Sequence, residues 1–545
     1  MQNSNSFSIK GRIVDLEQGE IYSGTINLVN SKIQSIIKEA VQSDKYIVPG
    51  LVDAHIHIES SMLTPAAFAQ LAVVHGTVAT VSDPHEIANV LGIEGVDFMI
   101  ENGKKVPFKF YFGAPSCVPA TGFESSGAVL GVDEMETLLS RPEIHYMAEM
   151  MNYPGVIYKD TEVLAKIAVA KKHNKPVDGH APGLKGEQAR QYIEAGITTD
   201  HECFTMEEAL DKIQYGMKIQ IREGSAAKNF EALIGLLETH PDHVLFCSDD
   251  KHPNDLVKGH INELVKRAIN LGYDPIRVLQ SCILNPVKHY NLNIGLLREG
   301  DAADFIVIDN LQDFNILQTF IDGLLVAENG KSLIPNVETA TPNKFLIDSF
   351  SAKELEIKGD GSPIKIIEAI EGQLITKTIV DTPLVKNGLL VSDTERDYLK
   401  ILVINRYKKT NPAIGFIKNI GLKNGAIAST VAHDSHNIIA VGSSDAMLEK
   451  AIQALVTAKG GVVACTPDEL VMLPLPVAGL MSGNDGKQVA ADYEKADALA
   501  KKAGSTLQAP FMTLSFMALL VIPQLKLSDK GLFDGATFSF TDLVA

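Results

Sequence analysis

Residues 8–48 alternate apolar and polar positions, as in Ile9, Ile13, Ile26, Leu28, Ile33 and Ile36 with polar neighbours between them. A period of two interrupted by turn residues predicts short antiparallel strands. From residue 51 the pattern changes. Short apolar runs recur at 51–58, 77–82, 108–113, 144–150, 176–179, 198–201, 218–221 and 243–248. Helix-length amphipathic stretches separate them, among them 65–74, 161–173, 186–195, 206–215 and 230–239. Eight strand-plus-helix units predict an α/β fold in which a (β/α)8 TIM-like barrel spans 51–294. An open doubly wound sheet is the alternative. Alternation returns at 295–309, so the barrel reads as an insertion into a small composite β-sandwich of residues 1–50 and 295–340. A Pro-, Thr- and Asn-rich linker at 335–344 precedes a C-terminal α+β domain, 346–545, with strands expected at 401–405 and 415–420 and a helix at 445–458.

A chain of 545 residues exceeds one compact core, which agrees with this division. Net charge is −18, a balance that disfavours a phosphate backbone as partner but not a neutral nucleobase. The five cysteines are odd in number and lack any C-x-x-C spacing, which points to a reducing cytoplasm rather than a disulfide framework or thiolate zinc site. The polar N-terminus has no signal-like apolar core. The longest apolar run, 511–522, is too short to span a bilayer and is expected to be core.

A barrel of this kind places its chemistry at the C-terminal ends of its strands. His55 and His57 share one face of the first strand because residues i and i+2 do. Asp83, His85 and Glu86 follow the second strand, Glu149 ends the fourth, His180 follows the fifth, His201 and Glu202 the sixth, and Asp249 and Asp250 the eighth. Metal-ligand types at nearly every strand end predict a divalent metal centre. Four histidines and two carboxylates exceed the needs of one tetrahedral ion, so two cations are expected, with Glu149 as the bridge. Such a centre lowers the pKa of bound water and makes hydroxide at neutral pH. Asp249 is the candidate proton carrier, while strand alternation turns Asp250 away. Asp83 and His85 are placed to bind substrate, another metal or a loop. Glu86 and Glu202 are candidates to hold the far nitrogens of ligating imidazoles. Ser116, Glu124, Ser126, Asn152 and Arg222 are candidates to read the edge of a substrate. The polar cluster 433–437 is expected to pack over the barrel mouth, a metal role being the alternative.

The order His-x-His, strand-four acid, His, His, Asp resembles the amidohydrolase superfamily. More narrowly, PGLVDAHIHIESS, SDPHEIANVLG, DGHAPGL, TDHECF, FCSDDKHPNDL and VAHDSHNIIAVG are similar to the bacterial-type adenine deaminase family, over nearly the whole chain. The resemblance implies a cytoplasmic purine-salvage hydrolase acting on the C–N bond of a cyclic amidine, converting adenine to hypoxanthine and ammonia. It also implies a dinuclear centre of Mn2+ or Fe2+ (Zn2+ being compatible with the ligand types) and a homodimer without nucleic-acid or membrane partners. By superfamily position, His55, His57, Glu149, His180, His201 and Asp249 take the metal roles, with Glu149, His201 and Asp249 also catalytic. Asp83, His85, Glu124, Ser126 and Arg222 are left for substrate. In this reading activated hydroxide attacks C6 and N1 is protonated before ammonia leaves. Glu149 stands where many dinuclear relatives carry a carboxylated lysine. Mononuclear deaminases of the superfamily place a glutamate three residues after the strand-five histidine; here Gly183 stands there. The unrelated zinc deaminase signature needs a P-C-x-x-C pair, which the chain lacks. The competing readings are a hydrolase of another cyclic amide and a barrel scaffold without catalysis.

Overall fold

The computed structural model describes residues 6–225 and 227–545. Eight parallel strands form the predicted barrel: Leu51–Ile56, Thr77–Ser82, Lys109–Ala114, Ile144–Met150, Val177–Gly179, Thr199–Asp200, Lys218–Arg222 and Val244–Cys247. The first five pair in order, as do the last three. Single parallel bridges, Val177 to Ile197 and Ile56 to Asp249, close the two seams. Every residue of the first two strands is buried. Helices cover the outside and side chains fill the inside, which is why both faces of these strands are buried and no exposed polar face alternates along them.

One seam glycine matters for the site's geometry. A Cβ on Gly179 would lie 2.4 Å from the Thr199 carbonyl oxygen and 2.7 Å from Ile197 Cγ2. The fifth and sixth strands therefore approach as closely as they do only because residue 179 has no side chain. Gly179→Ala is expected to cost about 1–3 kcal/mol through this overpacking. Because His180 is the next residue, turnover should fall with the melting temperature; a variant with unchanged melting and unchanged rate would show that the seam tolerates a methyl group.

Strands from both sides of the barrel segment join one eight-stranded sheet. The segment Tyr46–Pro49 lies between Ser6–Asp15 and Phe305–Ile308, parallel to the former and antiparallel to the latter. The sheet curls until its far parts meet: Ile33 N donates to Asp301 O at 3.0 Å and Ala303 N to Ser31 O at 2.9 Å. Ile13, Ile26, Ile47, Phe305 and Phe320 fill the enclosed core, with the last two rings stacked 4.6 Å apart.

The C-terminal region is built on a second eight-stranded sheet. Its central strand Leu399–Ile404 sends Leu402 and Ile404 into a small core under helix Asp445–Ala458, which has the bounds the sequence predicts. Ile401 and Val403 face the opposite way and join the core continuous with the barrel. Strict alternation thus makes one strand serve two cores. The 511–522 run lies in this larger core, and no helix among the described residues is long and apolar enough to cross a membrane.

Candidate metal centre

The strand ends converge as the periodicity requires. His55, His57, Glu149, His180, His201 and Asp249 are all buried and point into one cluster at the C-terminal mouth of the barrel. Glu149 divides it. One oxygen, Oε1, is 3.5 Å from His57 Nε2, while Oε2 is 3.1 Å from His180 Nδ1 and 3.2 Å from His201 Nε2. Asp249 Oδ1 is 3.3 Å from His57 Nε2 and 3.7 Å from His55 Nε2. The two Nε2 atoms of His55 and His57 are themselves 3.2 Å apart, and the His55 and His201 rings stack at 4.2 Å.

Two basic nitrogens facing each other beside carboxylates need something positive between them. A proton serves one pair; the whole donor set calls for more. Sets such as His55, His57 and Asp249, or His55, Glu149 and His201, bring one ligand atom from each residue within 4.8 Å of the others. Neutral imidazole nitrogen and carboxylate oxygen are the donors of borderline divalent cations. His57 Nδ1 lies 3.2 Å from the Asp83 carbonyl oxygen, to which it donates in the tautomer that turns the Nε2 lone pair inward. The residues present therefore fit a metal centre.

The charges around the cluster are strongly coupled. Burial works against a charge on His180, but Glu202 and Glu149 hold its pKa up to about 9. Burial likewise opposes ionisation of Asp249, yet Arg222 and His57 hold its carboxyl well below the usual range. The Arg222 guanidinium donates to Asp249 Oδ2 at 2.6 Å and, through both terminal nitrogens, to Glu202 at 2.5 and 2.8 Å. Glu202 Oε1 is in turn 3.5 Å from both His180 Nδ1 and His201 Nε2. Glu202 thus faces the ligand side of these imidazoles, nearer the centre than a group holding their far nitrogens would be.

Several residues expected to read a substrate edge also make bonds within the protein. Arg222 is committed to the two carboxylates just named. Ser126 Oγ donates to Ala128 O at 2.5 Å, and Ser116 Oγ to the backbone oxygen of Glu149 at 2.5 Å. Asn152 Oδ1 caps the helix Tyr153–Ile157. Asp83, His85 and Glu124 remain. His85 Nδ1 is 3.2 Å from Asp83 Oδ2 and 3.6 Å from Glu149 Oε1. Glu124 Oε1 accepts from Thr121, leaving Oε2 buried without a partner among the described residues. Asp250 also departs from expectation. Asp249 has a left-handed backbone, φ +53°, just beyond the strand's end, so strand alternation no longer applies to its neighbour. Asp250 accepts from Ser60 Oγ at 2.5 Å in the loop after the first strand and stays beside the mouth.

The C-terminal sheet adds a part that local pattern did not assign to the site. His433 Nδ1 is 2.5 Å from Glu86 Oε1, and His436 Nε2 meets Glu86 Oε2. Asp434 between them lies 3.8 Å from His85 Nε2. The 433–437 cluster therefore packs over the mouth, as expected, and also comes within reach of His85 beside the histidine and carboxylate cluster. Its density of histidines was the available signal; its partner, Glu86, is distant in sequence. All five cysteines are buried and free.

Residues 46–326 match the model of the amidohydrolase family, and a closed barrel with this donor set at its mouth is what defines that class. Residues 373–539 match the adenine deaminase C-terminal domain. Curated relatives named adenine deaminase include those of Sulfurovum sp., 55% identical over 98% of this chain and 99% of theirs, and Methanosarcina mazei, 52% identical over the same shares. That of Parabacteroides distasonis is 47% identical over the whole of both chains. The chain belongs to the adenine deaminase family.

Proposed function

We propose that this site hydrolyses adenine to hypoxanthine and ammonia with two divalent cations, Mn2+ or Fe2+, held by His55, His57, Glu149, His180, His201 and Asp249. The observation that carries the two-cation reading is the division of Glu149, whose oxygens face separate sets of histidines. The substrate is supported by likeness to relatives of that name over 98% of the chain. When bound, the cations supply a water acidic enough to react at neutral pH.

The protein's own groups do the rest. In the reaction, water adds to C6 of the purine, N1 gains a proton, and the amino group leaves as ammonia. Asp249 Oδ1, facing His57, is the group placed to take a proton from the water and pass it on. Arg222 keeps that carboxylate ionised and therefore able to accept. Glu202 holds Arg222 and balances His180 and His201. Asp83, His85 and Glu124 retain atoms for the base. The C-terminal segment 433–437 covers the mouth and limits bulk water, which strengthens each of these electrostatic contacts. Family resemblance supports a homodimer, and the five free cysteines suit a cytoplasmic setting.

Metal-loaded protein is expected to release ammonia from adenine, but not from adenosine or a hydantoin, and to carry two equivalents of metal by elemental analysis. Two bound metals with no turnover of adenine would remove this reading, and ring opening of a hydantoin would favour a cyclic-amide hydrolase.

A further inference from the structure

Asp434 is held in place by everything around it and yet keeps one oxygen free. Its neighbours His433 and His436 both bond to Glu86. Tyr407 Oη donates to Ser435 O at 2.6 Å, and Asn437 Nδ2 donates to Ser125 O at 2.8 Å in the loop after the third strand. The His433 ring stacks on Phe516 with centroids 4.6 Å apart. Within this pinned turn Asp434 Oδ1 faces His85 Nε2, while Oδ2 is buried without a hydrogen-bond partner among the described residues. A buried carboxylate oxygen left unpaired is costly, and a site that retains one is built to receive a donor.

The place of Asp434 beside the proposed centre suggests which donor. The imidazole of His85 spans the gap between the proposed metal-bridging carboxylate and Asp434. Nδ1 lies 3.6 Å from Glu149 Oε1, and Nε2 lies 3.8 Å from Asp434 Oδ1. In the arrangement that would use this oxygen, C6 faces Glu149 and the five-membered ring faces Asp434. Free adenine carries an N–H on that ring, and an ionised carboxylate only accepts. In a nucleoside the same nitrogen bears the sugar, so the donor is missing and the sugar would meet the turn fastened to Glu86.

We propose that Asp434 is a specificity-determining residue whose free oxygen accepts the imidazole-ring N–H of the unsubstituted base, so that purines substituted at that nitrogen are rejected. This inference rests on the adenine reading above. A site built around a substrate N–H discriminates strongly against the analogue that lacks it, because the acceptor is then left buried and unpaired.

The test compares adenine with 9-methyladenine on metal-loaded wild-type protein, Asp434→Asn and Asp434→Ala, with metal content and melting temperature measured on the same samples. In Asp434→Asn, KM for adenine should rise roughly 10- to 100-fold, more than kcat falls. Preference for adenine over 9-methyladenine should shrink by a similar factor in kcat/KM, with metal content unchanged. Undiminished preference overturns the inference, as does the loss of one metal equivalent, which would make Asp434 a cation ligand. Should both variants fail to fold, inhibition of wild-type protein by hypoxanthine and 9-methylhypoxanthine decides. Weaker inhibition by the methylated base supports the contact, and equal inhibition removes it. Absence of ammonia from adenine in metal-loaded wild type defeats the functional reading itself; turnover of adenine with unaltered selectivity in the variants defeats only the role of Asp434.

Discussion

Glu149→Gln is expected to lower deamination on the order of a thousandfold, about 4 kcal/mol of transition-state stabilisation, and to leave the protein with at most one tightly held metal. The substitution is nearly isosteric, so packing at the end of the fourth strand is preserved. What changes is charge and donor number. An amide offers one neutral oxygen where the carboxylate offers two that share a negative charge. In this site both oxygens are used, one toward His57 and the other toward His180 and His201. A glutamine oxygen can serve one side only, and its NH2 group, which donates and offers no lone pair, cannot hold a cation on the other. Burial of Glu149 opposes its ionisation, but His180 and His201 hold the carboxyl well below its ordinary range. Elemental analysis together with an ammonia assay measures both effects. Two full metal equivalents with ordinary activity in the variant would refute the bridge.

Arg222→Met should destabilise the protein by about 3–5 kcal/mol, the usual consequence of leaving buried charges without their partner. The guanidinium is fully buried and joins Glu202 to Asp249. Methionine fills much of the volume, so the loss is electrostatic more than steric. The pH dependence should move in a definite direction. Burial raises the pKa of Asp249 and Arg222 is the largest influence lowering it, so removing Arg222 raises that pKa. Asp249 must be ionised to accept a proton. Activity should therefore fail at a higher pH on the acid side in the variant than in the wild type. Melting temperatures and a pH profile of kcat/KM check the two claims separately. An acid limb that stays put, or moves toward lower pH, would show that Arg222 does not control Asp249.

Much of this centre was legible from local pattern, and the failures have identifiable causes. His55 and His57 share a face because a strand repeats every two residues. His180, His201 and Glu149 follow from reading what stands at strand ends once a barrel is assumed. Asp250 was misplaced because alternation was extended past Cys247, where the strand stops and Asp249 turns left-handed. Ser116, Ser126, Asn152 and Arg222 have the chemistry to bind a base, and each also bonds to a carbonyl, a helix end or a carboxylate of the protein. A sequence displays a side chain's donors without displaying their partners.

The chain by itself determined the barrel and the donor types at the barrel's mouth, because these depend on periodicity and on composition near each strand end; the β segments that bracket the barrel, expected as a sandwich, join in one curled eight-stranded sheet. The tertiary structure alone decided that Glu86 meets His433 and His436, that Asp434 reaches His85, and that Arg222 bonds to Asp249 and Glu202. Those pairings join the barrel's mouth to a sheet encoded far downstream, or one strand end to another. No local repeat carries such distances; they arise only when the inner face of the C-terminal sheet and the barrel bury their apolar residues in a shared core.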